Sequence, residues 1–340
     1  MKSTALVTGG AGYIGSHIVV ELLQQNYSVI VIDNFANSKK STIDAFDKIT
    51  GKKPKLYECD LKEVDKVADI FLNENVDIVI HCAALKSIPD SFSNTFEYYD
   101  NNVGGTINLL RAMKQSNVKK VILSSTAALY KDTRYAVTEE DEIESINPYA
   151  RTKGIVEDIM RDLYQKDKEL SICILRYFNP IGAHPSGLLG ENSKNAPDNI
   201  LPLLIEVASG ERSYFSICGD DYDTKDGTGV RDYVHVVDVA RCHLRVLEYM
   251  NENNHVFEVF NAGTGTGYSV KELIDAFEKT NHLKIPTKVV KRRLGDIAIS
   301  YANCDKIYNM LHWKAEFSLD DMCRDAWRWA KNLESIKEEA

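Results

Sequence analysis

Several features that would mark a specialised protein are missing from this sequence. Its 340 residues contain seven cysteines but no Cys-x-x-Cys pair, and eight histidines but no His-x-x-x-His spacing. Scattered cysteines in an odd number are typical of reduced thiols, and not of a disulfide framework or a zinc site. We therefore expect a cytoplasmic protein that holds no metal.

Excess positive charge and long hydrophobic runs are also missing. The formal net charge is -9, which argues against nucleic acid or an anionic membrane as the partner, since both attract basic surfaces. An anionic ligand held by local arginines remains compatible with this charge. The start of the chain, MKSTALVTGG, has no apolar run long enough for a signal peptide, and no later run approaches the length of a membrane span.

The pattern that is present alternates short apolar runs with longer amphipathic stretches. TALVTGG, SVIVID, DIVIHCAA and KKVILSS are β-branched runs of the kind that form strands buried on both faces. SHIVVELLQQ and NNVGGTINLLRAMKQ lie between them and suit crossover helices. The sequence therefore predicts an α/β protein with a Rossmann-type, doubly wound parallel sheet.

This pattern is interrupted once, which predicts a second, smaller unit of mixed α/β structure. Residues 180–200 are rich in glycine, proline, asparagine and serine, and loops should dominate there. The stretches RDYVHVVDVARCHLRVLEYM and VFEVFNAG then resume the earlier pattern. We expect a dinucleotide-binding domain from residues 1–179 and about 231–262, and a substrate domain from residues about 180–230 and 263–340.

A glycine-rich loop joins the first predicted strand to the first predicted helix. In VTGGAGYIG the glycines stand at positions 9, 12 and 15, where they allow a tight turn and let the backbone approach a pyrophosphate. Asp33 ends the next predicted strand, where a carboxylate would bind the adenosine ribose. The alternative is a simple turn with a helix-capping aspartate. A carboxylate at this position favours NAD over NADP, although Lys39 and Lys40 argue the other way.

NPYARTK places Tyr149 and Lys153 one helical turn apart. If a helix begins near Pro148, both side chains lie on the same face. An ammonium beside a phenol lowers the pKa of the tyrosine from about 10 toward neutrality, which would make it a general base. A single pair of this kind also occurs by chance in many helices, so the rest of the chain must decide.

Together with SSTAALY and longer motifs, these features show a family resemblance. EYYDNNVGGT, LRYFNPIGAHPSG, GDDYDTKDGTGVRDYVHV and RRLGD follow in order, and the chain resembles the UDP-glucose 4-epimerases, a family of extended short-chain dehydrogenases/reductases, up to about residue 330. The resemblance implies an enzyme that holds NAD tightly, oxidises C4 of a UDP-hexose and returns the hydride to the other face. It also implies a homodimer through helices near residues 95–115 and 150–165.

The resemblance also implies roles for individual residues. Tyr149 is similar to the catalytic base and Lys153 to its helper, while Thr126 matches the hydroxyl that bonds the sugar oxygen. Ser124 and Ser125 are competitors for that hydroxyl, and we expect Ser124 near the nicotinamide. The positions implied to contact the cofactor are Gly9, Gly12, Tyr13, Ile14, Gly15, Asp33, Asn34, Asn37, Ser38, Asp60, Leu61, Cys82, Lys86, Asn101, Ser124, Tyr149, Lys153 and Phe178. The positions implied to contact the UDP-sugar are Thr126, Tyr149, Asn179, Asn199, Arg231, Arg293, Asp296 and Ser300.

Two positions bear on substrate choice. Lys131 replaces the glycine that the family usually has after the tyrosine of TAALY, which changes a loop expected to border the sugar pocket. Ser300 stands where the family places a residue beside the sugar's 2-substituent, and a small residue leaves room there. We therefore predict that N-acetylated UDP-hexosamines are accepted along with UDP-glucose and UDP-galactose.

Three other functions are possible for a chain with this pattern. A 4,6-dehydratase normally needs an acid/base pair after its catalytic threonine, whereas Ala127 and Ala128 follow Thr126 here. A 4-epimerase of UDP-glucuronate would need a cation near C6 of the sugar, which the sequence cannot place. A non-catalytic NAD-binding protein is disfavoured because Tyr149 and Lys153 are both present.

Overall fold

The centre of the molecule is a seven-stranded parallel sheet. The computed structural model describes residues 3–293 and 295–338. In chain-order numbering the strands of this sheet are β1 (Thr4–Thr8), β2 (Ser28–Asp33), β3 (Lys55–Glu58), β4 (Ile78–His81), β5 (Lys120–Thr126), β6 (Ser171–Tyr177) and β11 (Phe257–Ala262). Their order across the sheet is β11-β6-β5-β4-β1-β2-β3, and every neighbouring pair is parallel.

Helices cover both faces of this sheet. The helices that lie between its strands in the chain include α1 (Tyr13–Gln24), α2 (Ser41–Thr50), α3 (Val64–Asn73), α4 (Ile88–Ser93), α5 (Thr95–Tyr98), α6 (Gly105–Gln115), α7 (Pro148–Lys166) and α9 (Val236–Glu252). One core contains buried side chains of α1, α2 and α9, and the other contains those of α3, α6 and α7.

The alternation of side chains along the strands explains the two cores. In β1, Leu6 packs into the core on one face and Val7 into the core on the other, and both are fully buried. Strands buried on both faces need continuous apolar sequence, which is the pattern read from the chain. The predicted doubly wound parallel sheet is confirmed.

A third core lies beyond this sheet. The remaining helices and short strands are β7 (Asn179–Ile181), α8 (Ile200–Ala208), β8 (Phe215–Cys218), β9 (Val230–Arg231), β10 (Tyr233–His235), β12 (Tyr268–Ser269), α10 (Val270–Asn281), β13 (Thr287–Val290), β14 (Ile299–Ser300), α11 (Asp305–Leu311) and α12 (Leu319–Glu338). Of these, α11 packs into the core of α1, α2 and α9. In the third core, Leu204, Phe215, Phe277 and Met322 are buried together. Strands β7 and β10, which pair in parallel, connect it to the main sheet.

Two short helical turns stand near the ends of the sheet strands. A π-helical turn, Tyr99–Gly104, joins α5 to α6, and a 3₁₀ turn, Ala127–Leu129, follows β5.

Among residues 3–293 and 295–338, no helix has both the length and the apolar character needed to cross a membrane.

Candidate active site

One pocket lies at the carboxyl ends of β1, β2, β4, β5 and β6. Ligands of open α/β sheets bind at this edge. Every residue predicted to contact the cofactor lines this pocket, and so do Thr126, Asn179 and Asn199 from the predicted substrate set. The fold thus brings together side chains that are as far apart in sequence as residues 9 and 199.

The glycine loop forms the floor of the pocket at the N-terminus of α1. Gly9 has a φ of +66°, and its carbonyl oxygen accepts a hydrogen bond of 3.0 Å from the Gly12 amide. A Cβ atom on Gly15 would lie 2.2 Å from the Gly9 carbonyl oxygen, so only glycine fits there. This leaves exposed backbone amides at a helix N-terminus, which is the arrangement that binds a diphosphate.

Asp33 is held rigidly at the end of β2. Its carboxylate accepts hydrogen bonds from the Ala11 amide (2.9 Å), the Phe35 amide (2.9 Å) and the Ser38 hydroxyl (2.8 Å). A carboxylate has about four lone-pair sites, so one remains for a ligand hydroxyl. Asp33 therefore also fixes the glycine loop through the Ala11 amide, but it does not cap α1, whose N-cap residue Gly12 has no side-chain hydrogen bond. The ribose contact stays a prediction.

Asn34 and Asp60 extend the pocket beyond Asp33. The Asn34 side-chain amide donates to the Asp60 carboxylate at 2.9 Å, which joins the loops after β2 and β3. The glycine loop, the Asp33 carboxylate and this polar pair suit the diphosphate, ribose and base of a dinucleotide. The residues of the pocket therefore fit NAD.

Glu191 connects two predicted ligand contacts and was not found from the sequence. Its Oε1 atom accepts from Lys86 Nζ at 2.8 Å and from the Asn199 side-chain amide at 2.7 Å. The carboxylate lies in the loop region between residues 180 and 200, where composition indicates only irregular structure. No sequence signal distinguishes this glutamate from its neighbours.

The predicted helix start at Pro148 is confirmed. Helix α7 begins at Pro148, and the Asn147 side chain caps it by accepting from the Ala150 amide at 2.8 Å. Both Tyr149 and Lys153 face the pocket. The four-residue spacing therefore predicted correctly that both side chains lie on one face of the helix.

The electrostatic prediction for this pair was wrong. Burial raises the pKa of Tyr149, and the Thr126 hydroxyl is the group that acts to lower it. Lys153 Nζ donates instead to the Ser124 carbonyl oxygen at 2.8 Å, and burial lowers the pKa of Lys153 to about 8. Helical spacing brings two side chains to one face, but burial penalises the charged forms of both groups.

The three hydroxyl groups at the end of β5 point to different partners. Thr126 Oγ1 accepts from the Ala128 amide at 3.1 Å and acts on Tyr149 as described. The Ser125 hydroxyl donates to the buried carboxylate of Glu157, and the Ser124 hydroxyl is bonded within the protein core. Thr126 is thus the hydroxyl that stands next to the tyrosine.

Four predicted UDP contacts form a group outside the pocket lining. Arg231 donates to the Asp296 carboxylate at 2.7 Å, and Arg231 pairs with Ser300 across β9 and β14. Arg293 is exposed, and its carbonyl oxygen accepts from the Asp296 amide. The Asp296 carboxylate, one of the implied UDP-sugar contacts, is therefore paired with an arginine. The Asp232 amide donates to the Ser300 carbonyl oxygen at 2.9 Å, and the next residue, Tyr233 of β10, lines the pocket.

Lys131, which replaces the glycine usual in the family, lies on the surface. Its Nζ atom forms an ion pair with Glu142 at 2.9 Å, with the lysine side chain 48% exposed.

Within the described ranges, no group of three or more histidine, cysteine, aspartate or glutamate side chains is arranged to hold a metal ion.

Comparisons with known proteins agree with this geometry. Residues 5–263 match the model of the NAD dependent epimerase/dehydratase family, and the chain belongs to that family. Within it, the chain is similar along nearly its whole length to UDP-glucose 4-epimerases, which confirms the resemblance read from the motifs. The Bacillus subtilis UDP-glucose 4-epimerase is 45% identical over 334 residues, covering 98% of each chain.

Solved structures extend the similarity to three dimensions. The Bifidobacterium longum UDP-glucose 4-epimerase, crystallised with NAD+ and UDP, is 44% identical with a TM-score of 0.94, covering 97% of this chain and 98% of that one. The UDP-Glc/GlcNAc 4-epimerase of Campylobacter jejuni is 37% identical with a TM-score of 0.84, covering 97% of this chain and 100% of that one.

Proposed function

We propose that this protein is an NAD-dependent isomerase that interconverts UDP-glucose and UDP-galactose at C4. The observation that carries the proposal is the meeting of Thr126, Tyr149 and Lys153 in one pocket with a glycine loop that fits a dinucleotide. The similarity to UDP-glucose 4-epimerases over almost the full chain supports it.

The chain's own residues supply the proton chemistry and the positioning. Tyr149 takes the proton of the 4-hydroxyl and gives it back, with the Thr126 hydroxyl stabilising the phenolate. NAD, when bound, accepts the hydride from C4 and returns it, so no second substrate is consumed. Lys153, fixed by the Ser124 carbonyl, adds positive charge beside the pocket. The buried setting excludes water from the 4-keto sugar.

We assign the predicted residues to two ligands on this basis. The residues that line the pocket from the glycine loop to Asp60 bind NAD, and Lys86 and Asn101, which line the same pocket, also contact it. Asn179 and Asn199 contact the UDP moiety. The same substrate is also contacted by Arg231, Arg293, Asp296 and Ser300. For this to happen, the Arg231–Asp296 ion pair must rearrange when UDP binds.

We further propose that N-acetylated UDP-hexosamines are substrates. Ser300 is small and half-buried, and its backbone is fixed by the pairing with Arg231. A small side chain at this position leaves room for a 2-acetamido group. The Campylobacter jejuni relative is a UDP-Glc/GlcNAc 4-epimerase, which supports a dual range.

The finer assignments on assembly, domains and location are also proposals. We infer a cytoplasmic homodimer that assembles through helices near residues 95–115 and 150–165, where Phe96 and Ile155 are exposed apolar side chains. We assign NAD binding to residues 1–179 and about 231–262, and UDP-sugar binding to residues about 180–230 and 263–340.

The test is epimerisation by the purified protein with no cofactor added. UDP-galactose and UDP-N-acetylgalactosamine are incubated separately, and the C4 epimers are assayed by chromatography. Conversion of both is expected, and Tyr149→Phe should lower the rate by about 10²- to 10⁴-fold because the general base is lost.

A matched control is Tyr308→Phe, because the Tyr308 side chain is 53% exposed and lies outside the pocket lining, and this variant should keep the wild-type rate. If neither sugar is converted, even after NAD is added, the proposal is wrong. Conversion of UDP-galactose alone would remove only the N-acetyl substrates.

A further inference from the structure

A row of three buried side chains leads from the pocket wall into the protein core. Ser124 Oγ lies 2.9 Å from the Tyr177 hydroxyl oxygen, which lies 2.5 Å from His243 Nε2. Ser124 is 6% exposed, Tyr177 5% and His243 0%. None of these contacts follows from the roles proposed for Tyr149, Lys153 and Thr126.

The far end of this row fixes the protonation state of the histidine. His243 Nδ1 lies 2.8 Å from the Val239 carbonyl oxygen, and a carbonyl only accepts, so Nδ1 carries the hydrogen. Burial lowers the pKa of His243 to about 4, so the ring is neutral near pH 7. The Nε2 atom is therefore a bare acceptor, and the Tyr177 hydroxyl must donate to it.

The direction of this hydrogen bond determines the direction of the next one, between Tyr177 and Ser124. A tyrosine hydroxyl has a single proton, and His243 takes it, so the Tyr177 oxygen accepts from the Ser124 hydroxyl. Ser124 then has no proton left for its second neighbour, Cys82 Sγ at 3.0 Å. Burial raises the pKa of Cys82 to about 11, so the thiol keeps its proton and donates to Ser124.

The direction of these hydrogen bonds determines which side of the Ser124 hydroxyl faces the pocket. Ser124 and Cys82 both line it, beside the Ser124 carbonyl that holds Lys153. The Ser124 hydroxyl turns its proton inward and its lone pairs outward. A hydroxyl dipole with its negative end toward a ligand stabilises a cationic group more than a neutral one.

We propose that Tyr177 and His243 are positioning residues that hold the Ser124 hydroxyl as a hydrogen-bond acceptor toward the nicotinamide side of the pocket, so that the site favours oxidised, cationic NAD over its reduced, neutral form. The inference rests on the proposed function, since NAD is the ligand. The oxidised form is the one that starts an epimerisation cycle, so this bias keeps the enzyme ready to turn over.

The test measures the preference for the oxidised form and not activity. Wild-type protein, Tyr177→Phe and His243→Leu are equilibrated with equal amounts of oxidised and reduced dinucleotide, freed of unbound cofactor, and analysed for both bound forms. Each variant frees the Ser124 proton to turn outward. We expect the ratio of bound oxidised to reduced form to fall about fivefold, the value of one ordinary hydrogen bond.

Three further variants separate this role from a structural one. His243→Gln offers an amide oxygen to Tyr177 and should restore the wild-type ratio, and the double variant Tyr177→Phe/His243→Leu should show no further fall. Tyr164→Phe removes a hydroxyl that bonds the His255 carbonyl elsewhere, and it should leave the ratio unchanged. If His243→Leu fails to fold, Tyr177→Phe and His243→Gln still decide the question.

The outcomes distinguish this inference from the proposed function. If Tyr177→Phe weakens both forms of the cofactor equally, Tyr177 only supports the fold and the inference is overturned. It is also overturned if the ratio stays at the wild-type value. A wild-type protein that binds neither dinucleotide and converts no UDP-galactose would instead overturn the proposed function itself.

Discussion

The guanidinium of Arg176 and the carboxylate of Glu157 form an ion pair in the interior of the protein. Nη2 lies 2.6 Å from Oε2, and the two side chains are 2% and 3% exposed. Glu157 also accepts from the Ser125 hydroxyl, and Arg176 donates to the Tyr130 hydroxyl at 3.0 Å. The pair therefore ties β5, β6 and α7 together directly beneath Thr126 and Lys153.

Glu157→Gln should lower the free energy of unfolding by about 3–5 kcal/mol, because it leaves the Arg176 charge buried without a counter-charge. Urea denaturation of the two proteins measures the difference. The matched control is Arg134→Met, which breaks the ion pair with Asp223 whose side chains are 60% and 86% exposed. That loss should stay below about 1 kcal/mol. Equal losses for the two variants would show that burial does not set the strength of the pair.

Gly15→Ala should abolish retention of NAD. The new Cβ atom would lie 2.2 Å from the Gly9 carbonyl oxygen, so the loop must move away from the pocket. Cofactor content of the purified protein and thermal unfolding are the measurements. Gly104→Ala is the control, since its Cβ would meet Asp100 Oδ1 at 3.5 Å and the Tyr99 carbonyl oxygen at 4.0 Å, both ordinary contacts. A variant at Gly15 with normal cofactor content would mean that the loop does not bind the diphosphate.

The buried ammonium of Lys153 predicts how stability depends on pH. Its pKa is lowered from 10.5 to about 8, so between these values the unfolded chain binds more protons than the folded one. Stability conferred at this site therefore rises with pH across that window, by about 3 kcal/mol in total. The difference in unfolding free energy between wild type and Lys153→Met, both stripped of dinucleotide, should show this rise. A difference that is flat from pH 8 to about 10 would contradict the lowered pKa.

Ser300→Tyr should separate the two substrate classes. An added aromatic ring fills the space proposed for the 2-acetamido group, and overpacking by a bulky side chain costs about 1–3 kcal/mol. Turnover of UDP-N-acetylgalactosamine should fall about 10- to 100-fold, with turnover of UDP-galactose little changed. Ser300→Ala, which keeps the position small, should leave both rates at wild type. Full activity of the tyrosine variant on the N-acetyl sugar would exclude Ser300 from the sugar pocket.

The fold and the floor of the pocket were predictable from local pattern. Continuous apolar strands such as TALVT can only be buried on both faces, and a strand that runs into a glycine loop and a helix leaves few alternatives. The helix at Pro148 likewise followed from a proline and an asparagine at its first positions. These signals lie within a few residues of one another, so periodicity and spacing are enough to find them.

The chemistry of the site was decided by tertiary structure. The sequence determined that Tyr149 and Lys153 share one helical face, but burial determined that the pKa of Tyr149 is raised and that Lys153 turns to the Ser124 carbonyl. Glu191 gained its contact with Lys86, and His243 its contact with Tyr177, only when distant segments met. Desolvation and hydrogen bonding depend on everything that packs around a group, and most of those neighbours are remote in the chain.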